Sequence, residues 1–255
     1  MQIPNVLCIS GFDPSGGAGM QADIESCAAN GTHALGIVTA LTAQNTRNAV
    51  RVEAVAPAAL EEQLDVLLAD CRPAAIKIGL IGSAGQIPLI VRTIRALQVP
   101  VVCDPVLRAG GGATLLADAT AAQLAADLFP HVTVITPNAA EARRLVPAAA
   151  NLPDAARQLG ERAGCAVLVT GGDEATAQVE DWLHLPNGST RSWREPRVAG
   201  HFHGAGCTLS SAIAARLARG EALADAIGNA RAYVHTALSR ALQVGGGRLV
   251  PGRFA

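Results

Sequence analysis

The segment Ala74–Cys103, AAIKIGLIGSAGQIPLIVRTIRALQVPVVC, decides the fold. It opens on a short β-branched run, Ala74–Ile78, and closes on another, Val99–Cys103. Between them Ser83–Leu97 repeats apolar residues at helical spacing. The same alternation extends in both directions. Asn5–Ser10 (NVLCIS), Val132–Ile135 (VTVI) and Ala166–Thr170 (AVLVT) are further strand-like runs bounded by polar or Gly/Pro punctuation. Pro57–Cys71 places Leu60, Leu64, Leu67, Leu68 and Cys71 at helical spacing, with Pro57 suited to a first turn. Asp118–Phe129 reads as another helix, with Asp118 as its N-cap. Val179–Leu185 and Thr190–Glu195 read as a β-hairpin turning at Asn187-Gly188. The last 50 residues read as helical up to Gly245. Alternating strands and helices predict an α/β fold, a mostly parallel sheet covered on both faces. No linker, repeat or low-complexity segment interrupts the pattern, so residues 1–255 read as one domain.

Composition supports a large core. Half of the 255 residues are apolar and 16% are charged, which excludes extended disorder. Aromatics make up 3% and the formal charge is −1, with no basic block, so neither base stacking nor phosphate tracking along a nucleic acid is expected. No apolar run approaches the roughly 18–20 residues that span a bilayer. Met1–Asp13 reads as a first strand rather than a signal peptide. Six cysteines, none in a CxxC pair, read mostly as small buried hydrophobes of a reducing cytoplasm.

In such folds ligands bind where the strands end. Polar clusters sit there: Gly11–Gly19, Asp104–Gly112, Thr136–Glu141 and Gly171–Glu174 each follow a strand-like run. Whether the loop near Gly110–Gly112 closes as a lid is left open. Asp13-Pro14-Ser15-Gly16-Gly17-Ala18-Gly19 lacks both the GxGxxG spacing of a dinucleotide site and the GK[ST] ending of a P-loop. The local signal for a phosphate site is Gly204-Ala205-Gly206-Cys207, which leads into the Ala-rich helix beginning at Thr208. Glycines there turn backbone N–H groups toward one point, and the helix adds its positive end. Cys207 in that first turn is expected to have a lowered pKa and to serve as a proton acceptor, the alternative being an inert buried thiol. Asn138 and Glu141 have the spacing of a helix-capping box. Lys77, central in an apolar strand, is either ion-paired or turned toward phosphates. His201 and His203 flank Cys207, yet they lack the further ligands that zinc needs.

Taken together, six blocks resemble the hydroxymethylpyrimidine/phosphomethylpyrimidine kinases. They are Gly11–Asp23 (GFDPSGGAGMQAD), Thr39–Thr46 (TALTAQNT), Ile76–Leu80 (IKIGL), Asp104-Pro105-Val106, Thr136–Ala142 (TPNAAEA) and His203–Thr208 (HGAGCT). They follow in the family's order over nearly the whole chain. The resemblance implies a ribokinase-like three-layer sandwich, usually a homodimer in the cytoplasm. It implies phosphorylation by ATP and Mg2+ of 4-amino-5-hydroxymethyl-2-methylpyrimidine, then of its monophosphate, for thiamine diphosphate synthesis. Cys207 then matches the catalytic base, and Gly204, Ala205 and Gly206 the anion hole. Gly11, Asp23, Gln44, Leu80 and Val106 match substrate contacts. Lys77, Asp104, Asn138, Glu141, Thr170 and Gly172 match the nucleotide site, with Asp104 and Glu141 near the metal. Ala205, Thr170, Leu80 and the stretch Gly200–Phe202 depart from the usual family residues. The rival readings are a pyridoxal kinase of the same fold and a non-catalytic pyrimidine sensor.

Overall fold

The computed structural model describes residues 3–107 and 118–254. The Gly110–Gly112 loop lies outside them, as does the cluster that starts at Asp104 beyond residue 107. Among the described residues the chain runs β1 (Asn5–Phe12), α1 (Gly19–Ala29), β2 (His33–Gln44), β3 (Ala49–Ala54), α2 (Pro57–Asp70), β4 (Ala75–Ile78), α3 (Ile87–Leu97) and β5 (Val101–Cys103). It continues with α4 (Asp118–Gln123), β6 (Val134–Ile135), α5 (Ala139–Leu145), α6 (Leu152–Ala163), β7 (Ala166–Val169), β8 (Gln178–His184), β9 (Thr190–Pro196), α7 (Ala205–Ala218) and α8 (Leu223–Ser239).

These strands form one sheet in the order β3-β2-β1-β4-β5-β6-β7-β8-β9. The pairs from β2 through β7 are parallel; β3, β8 and β9 join antiparallel at the two edges. Side chains alternate between the faces, as strand geometry dictates. Leu7 and Ile9 of β1 and Ile76 and Ile78 of β4 pack with α2, α3 and α6. Val6 and Cys8 of β1, with Val102, Val134 and Leu168, pack with α1 and α7 and the start of α8. The result is the three-layer arrangement expected from the alternating pattern. Lys77 falls between Ile76 and Ile78, opposite Cys8 in register, so it points to the α1/α7 face.

Two strands were not legible in the sequence. β2, HALGIVTALTAQ, is rich in Ala, Thr and Gly, and its burial is irregular. It is a strand because it pairs along the whole length of β1, from Asn5↔His33 to Phe12↔Leu41. β3 is short and mostly exposed, held by antiparallel pairing with β2. The helical expectation for the end of the chain also needs correction. Helix α8 stops at Ser239, and Leu242 turns back to pair with Val250. Gly245, Gly246 and Gly247 make that return possible, and Gly247 sits hard against the Thr46 backbone. Ser83–Leu97 opens on a 3-10 turn, Ala84–Gln86, before α3, and α4 passes into a π-helical turn, Leu124–Leu128. No helix among the described residues is long and apolar enough to cross a membrane.

Strand order fixes the position of the site. From β1 the chain moves to β2 on one side, then returns to β4 on the other. The carboxyl ends of β1 and β4 therefore diverge, and an open α/β sheet binds ligands in that crevice.

Candidate active site

A cavity of about 820 Å³ lies along this edge. Every site residue expected from the sequence lines it except Asp23. The cavity floor is the start of α7. Gly204 caps that helix at φ +86, and a Cβ there would overlap the Gly17 carbonyl, so only glycine fits. No side chain caps this end, so its first-turn N–H groups have no intrahelical acceptor. Such donors, with the helix dipole behind them, have the chemistry that suits an anion. Ala205 keeps those backbone donors while lacking a hydroxyl.

Cys207 lines the cavity half-buried. Contrary to expectation, its thiol is not acidic. Burial pushes it up to about 12, Asp104 and Asp23 add to the rise, and Lys77 is the strongest opposing influence. Helix position alone misleads here, because the dipole is weaker than desolvation plus two nearby carboxylates. In the ligand-free protein, alkylation of Cys207 by iodoacetamide is expected to stay slow through pH 9 and to climb with each further pH unit. Peptide mass mapping would read this, and fast labelling at pH 7 would contradict it.

Lys77 resolves in favour of the ion pair without leaving the cavity. Its Nζ sits 2.8 Å from Asp23 Oδ1 and donates to Ser10 Oγ at 3.0 Å. Burial would lower its pKa, but Asp23, then Cys207 and Asp104, raise it above the ordinary lysine value. It is a fixed cation below the phosphate site. Asp23 is fully buried and also accepts from Ser211 Oγ at 2.7 Å. It does not line the cavity and meets it through Lys77, which does.

Asp104 and Glu141 face the same cavity. Burial lifts Asp104 to about 6 against the pull of Lys77; burial and then the Asp104 charge lift Glu141 to about 8. Ser210 Oγ donates to Asp104 Oδ2 at 3.5 Å. Asn138 and Glu141 do form the capping box of α5. Glu141 Oε2 accepts from Asn138 N, and Oε1 from Leu107 N, both at 3.1 Å. Among the described residues no group of three or more His, Cys, Asp or Glu could cage a metal. Two carboxyls raised chiefly by burial fit a Mg2+ that brings positive charge and is held mainly by phosphates and waters. With both Glu141 oxygens committed to backbone donors, Asp104 is the residue that would touch it.

These raised carboxyls set a pH dependence. Between the ordinary carboxylate range and about 6 for Asp104, or about 8 for Glu141, the native state binds protons that the unfolded chain releases. Their contribution to stability is therefore present at low pH and lost as pH rises through that window. The Tm of the metal-free protein is expected to fall between pH 5 and about 8, and Glu141→Gln to flatten the upper half of that fall. A Tm that rises across the window would contradict it.

One cluster was missed. His203 Nε2 lies 2.7 Å from Asp13 Oδ2 and 2.8 Å from Gln44 Nε2. Asp13 also accepts from the Ser15 and Ala18 backbone and from Ser15 Oγ. Although burial opposes it, these bonds from His203 and Ser15 hold the Asp13 carboxyl below its usual value. His203 Nε2 spends its proton on Asp13 and so packs against the Gln44 amide without accepting from it; the 190-residue separation from Asp13 hid the pairing. At the far end of the cavity, buried Arg231 donates to Asp181 at 2.6 Å and to Glu195 at 3.0 Å. Asp181 in turn accepts from Gly171 N and fixes the loop that carries Gly172. Thr170 N donates to Pro137 O, which ties that loop to the Asn138 cap.

An uncapped helix start at a sheet switch point, with a fixed cation beneath it and two carboxyls beside it, is the geometry of a phosphotransferase of ribokinase-like fold. Among solved structures, the ADP complex of Bacillus subtilis pyridoxal kinase superposes with a TM-score of 0.90 at 27% identity, covering 99% of this chain and 98% of that one. A phosphomethylpyrimidine kinase from Clostridium difficile superposes at 0.78 with 30% identity, covering 92% and 98%. The family model described as phosphomethylpyrimidine kinase matches residues 13–251, and the chain belongs to that family. A hydroxymethylpyrimidine/phosphomethylpyrimidine kinase of Synechococcus elongatus is 39% identical over 260 residues, spanning 100% of this chain and 98% of its own. The Escherichia coli enzyme of the same name is 36% identical over 252 residues, spanning 95% and 94%.

Proposed function

We propose that this chain transfers the γ-phosphate of ATP to the hydroxymethyl oxygen of 4-amino-5-hydroxymethyl-2-methylpyrimidine, and then phosphorylates the resulting monophosphate. The product is the pyrimidine diphosphate used in thiamine diphosphate synthesis. The observation that carries this reading is the single cavity that joins Gln44 to Cys207 and the open start of α7. An amide offers a donor and an acceptor together, which matches the edge of an aminopyrimidine. Leu80 and Val106 supply apolar wall on the same cavity.

Catalysis here is placement and charge stabilisation. The α7 N–H groups meet negative charge on the transferring phosphoryl group, and Lys77 supports them from below. Asp104 would hold a magnesium ion, which would supply positive charge to offset the phosphates. Neutralising Asp104 also removes one of the influences that keep Cys207 protonated. The sulfur, present as the thiolate once its own proton has left to solvent, takes the acceptor hydroxyl proton, a step that falls late in a loose transfer. The second phosphorylation uses the same groups with a phosphate oxygen as nucleophile. A cytoplasmic homodimer is the assembly proposed; exposed Leu41 and Val50 near the β2/β3 edge are consistent with a partner surface.

Pyridoxal is the second reading, favoured by the close backbone overlap with pyridoxal kinases. The two readings separate in one comparison. The pyrimidine alcohol is expected to show the higher kcat/KM, and Gln44→Leu to lower that value about 10- to 10²-fold while changing pyridoxal turnover far less. A higher kcat/KM for pyridoxal, or equal losses for both acceptors, would overturn the pyrimidine assignment.

A further inference from the structure

Arg253 lies far from every motif that marks the site, yet it is 1% exposed. It follows the return strand after α8. That segment is anchored by the Leu242–Val250 pairing, by Gly252 N donating to Ala237 O, and by Tyr233 OH donating to Arg253 O at 3.0 Å. The guanidinium spends its donors on four partners. Nε donates to Thr208 Oγ1 at 3.0 Å, and Nη1 to Gly16 O at 3.1 Å and Glu25 Oε2 at 2.9 Å. Nη2 donates to the Gly17 carbonyl. Two of these partners belong to the glycine-rich loop after β1, one to α1 and one to the first turn of α7.

The two loops so bridged also touch directly. A Cβ on Gly204 would overlap the Gly17 carbonyl, and one on Gly17 would overlap the His203 ring. Thr208 continues the chain of bonds, because its hydroxyl donates to Gly204 O at 2.7 Å while accepting from Arg253. A planar fork of donors can hold several carbonyls in one geometry where a lysine ammonium cannot. Arg253 is not among the residues lining the cavity, so it does not touch a bound molecule there.

We propose that Arg253 is a positioning residue for phosphoryl transfer. Through Thr208 and the Gly16–Gly17 carbonyls it fixes the start of α7, and with it the anion site and Cys207, relative to the Asp13–His203–Gln44 side of the cavity. This rests on the phosphotransfer reading of the same site. A loosening of the α7 start by about an ångström can lower turnover about 10²-fold without removing any ligand contact.

The test uses Arg253→Ala, Arg253→Lys and Thr208→Val in the full chain, with kcat, both KM values and Tm measured for each. Arg253→Ala is expected to lose kcat about 10²-fold with the KM for nucleotide nearly unchanged. Arg253→Lys should recover only part of the loss. Millimolar guanidinium ion should restore turnover in Arg253→Ala while leaving the unaltered chain unaffected. If Arg253→Ala does not fold, Thr208→Val keeps the three other bonds and should still lower kcat at an unchanged Tm. Wild-type kcat in a folded Arg253→Ala or in Thr208→Val would overturn the proposal. So would a loss that tracks Tm and ignores guanidinium. An unaltered chain that turns over no acceptor would overturn the phosphotransfer reading along with it.

Discussion

Cys207→Ala is expected to lower kcat by about 10²–10⁴, the usual contribution of a general base, while nucleotide affinity stays nearly unchanged. Among the described residues at the α7 start, the other titratable groups are held elsewhere: His203 pairs with Asp13, Glu141 accepts the backbone donors of its cap, Lys77 is a fixed cation, and Asp104 is the proposed metal contact. Cys207→Ser should not restore the rate, because an alcohol in the same desolvated position is a still weaker acid than the thiol. Steady-state rates with saturating Mg-ATP, beside nucleotide affinity by calorimetry, give both quantities. A wild-type rate in Cys207→Ala would remove the role assigned to the sulfur and leave charge stabilisation by α7 as the main source of catalysis.

Lys77→Met should have the largest effect on the fold itself. Lys77 and Asp23 are both fully buried and pair at 2.8 Å. Removing one member strands the other as an uncompensated buried charge, a loss of about 3–5 kcal/mol. Asp23 already has one oxygen, Oδ2, without a partner, so it has little left to compensate with. The double variant Lys77→Met with Asp23→Leu should recover most of the stability yet remain inactive, since the cation below the anion site is gone. Denaturant unfolding separates the two effects. A double variant as unstable as Lys77→Met alone would show that packing, rather than charge pairing, is what that position supplies.

The parts of the molecule that were legible in the sequence are those whose physics is local. β4, α3 and β5 showed themselves through period and β-branching, and the Asn138–Glu141 box through its spacing. β2 was not legible because its Ala and Gly residues disfavour a strand and its burial does not alternate; pairing with β1 makes it a strand. The site divides along the same line. Glycines and Cys207 at a helix start could be placed from the chain alone, but the direction of the Cys207 pKa could not. That direction depends first on burial and then on Asp104 and Asp23, all of which tertiary packing supplies. The resemblance makes Asp23 a substrate contact, whereas its place in α1 and its ion pair with Lys77 set it beneath the cavity surface. The Asp13–His203–Gln44 cluster and the Arg253 clamp join residues up to 237 positions apart, and no spacing announces them.

The central claim is that one cavity carries out both phosphorylations of the pyrimidine. It is tested most directly by supplying the pyrimidine monophosphate as sole acceptor with Mg-ATP and following product mass against ADP release. The account predicts pyrimidine diphosphate formed in step with ADP, and neither in the Lys77→Met, Asp23→Leu double variant, which lacks the cation below the α7 start. ADP release without diphosphate, or diphosphate formed at an undiminished rate by that double variant, would contradict it.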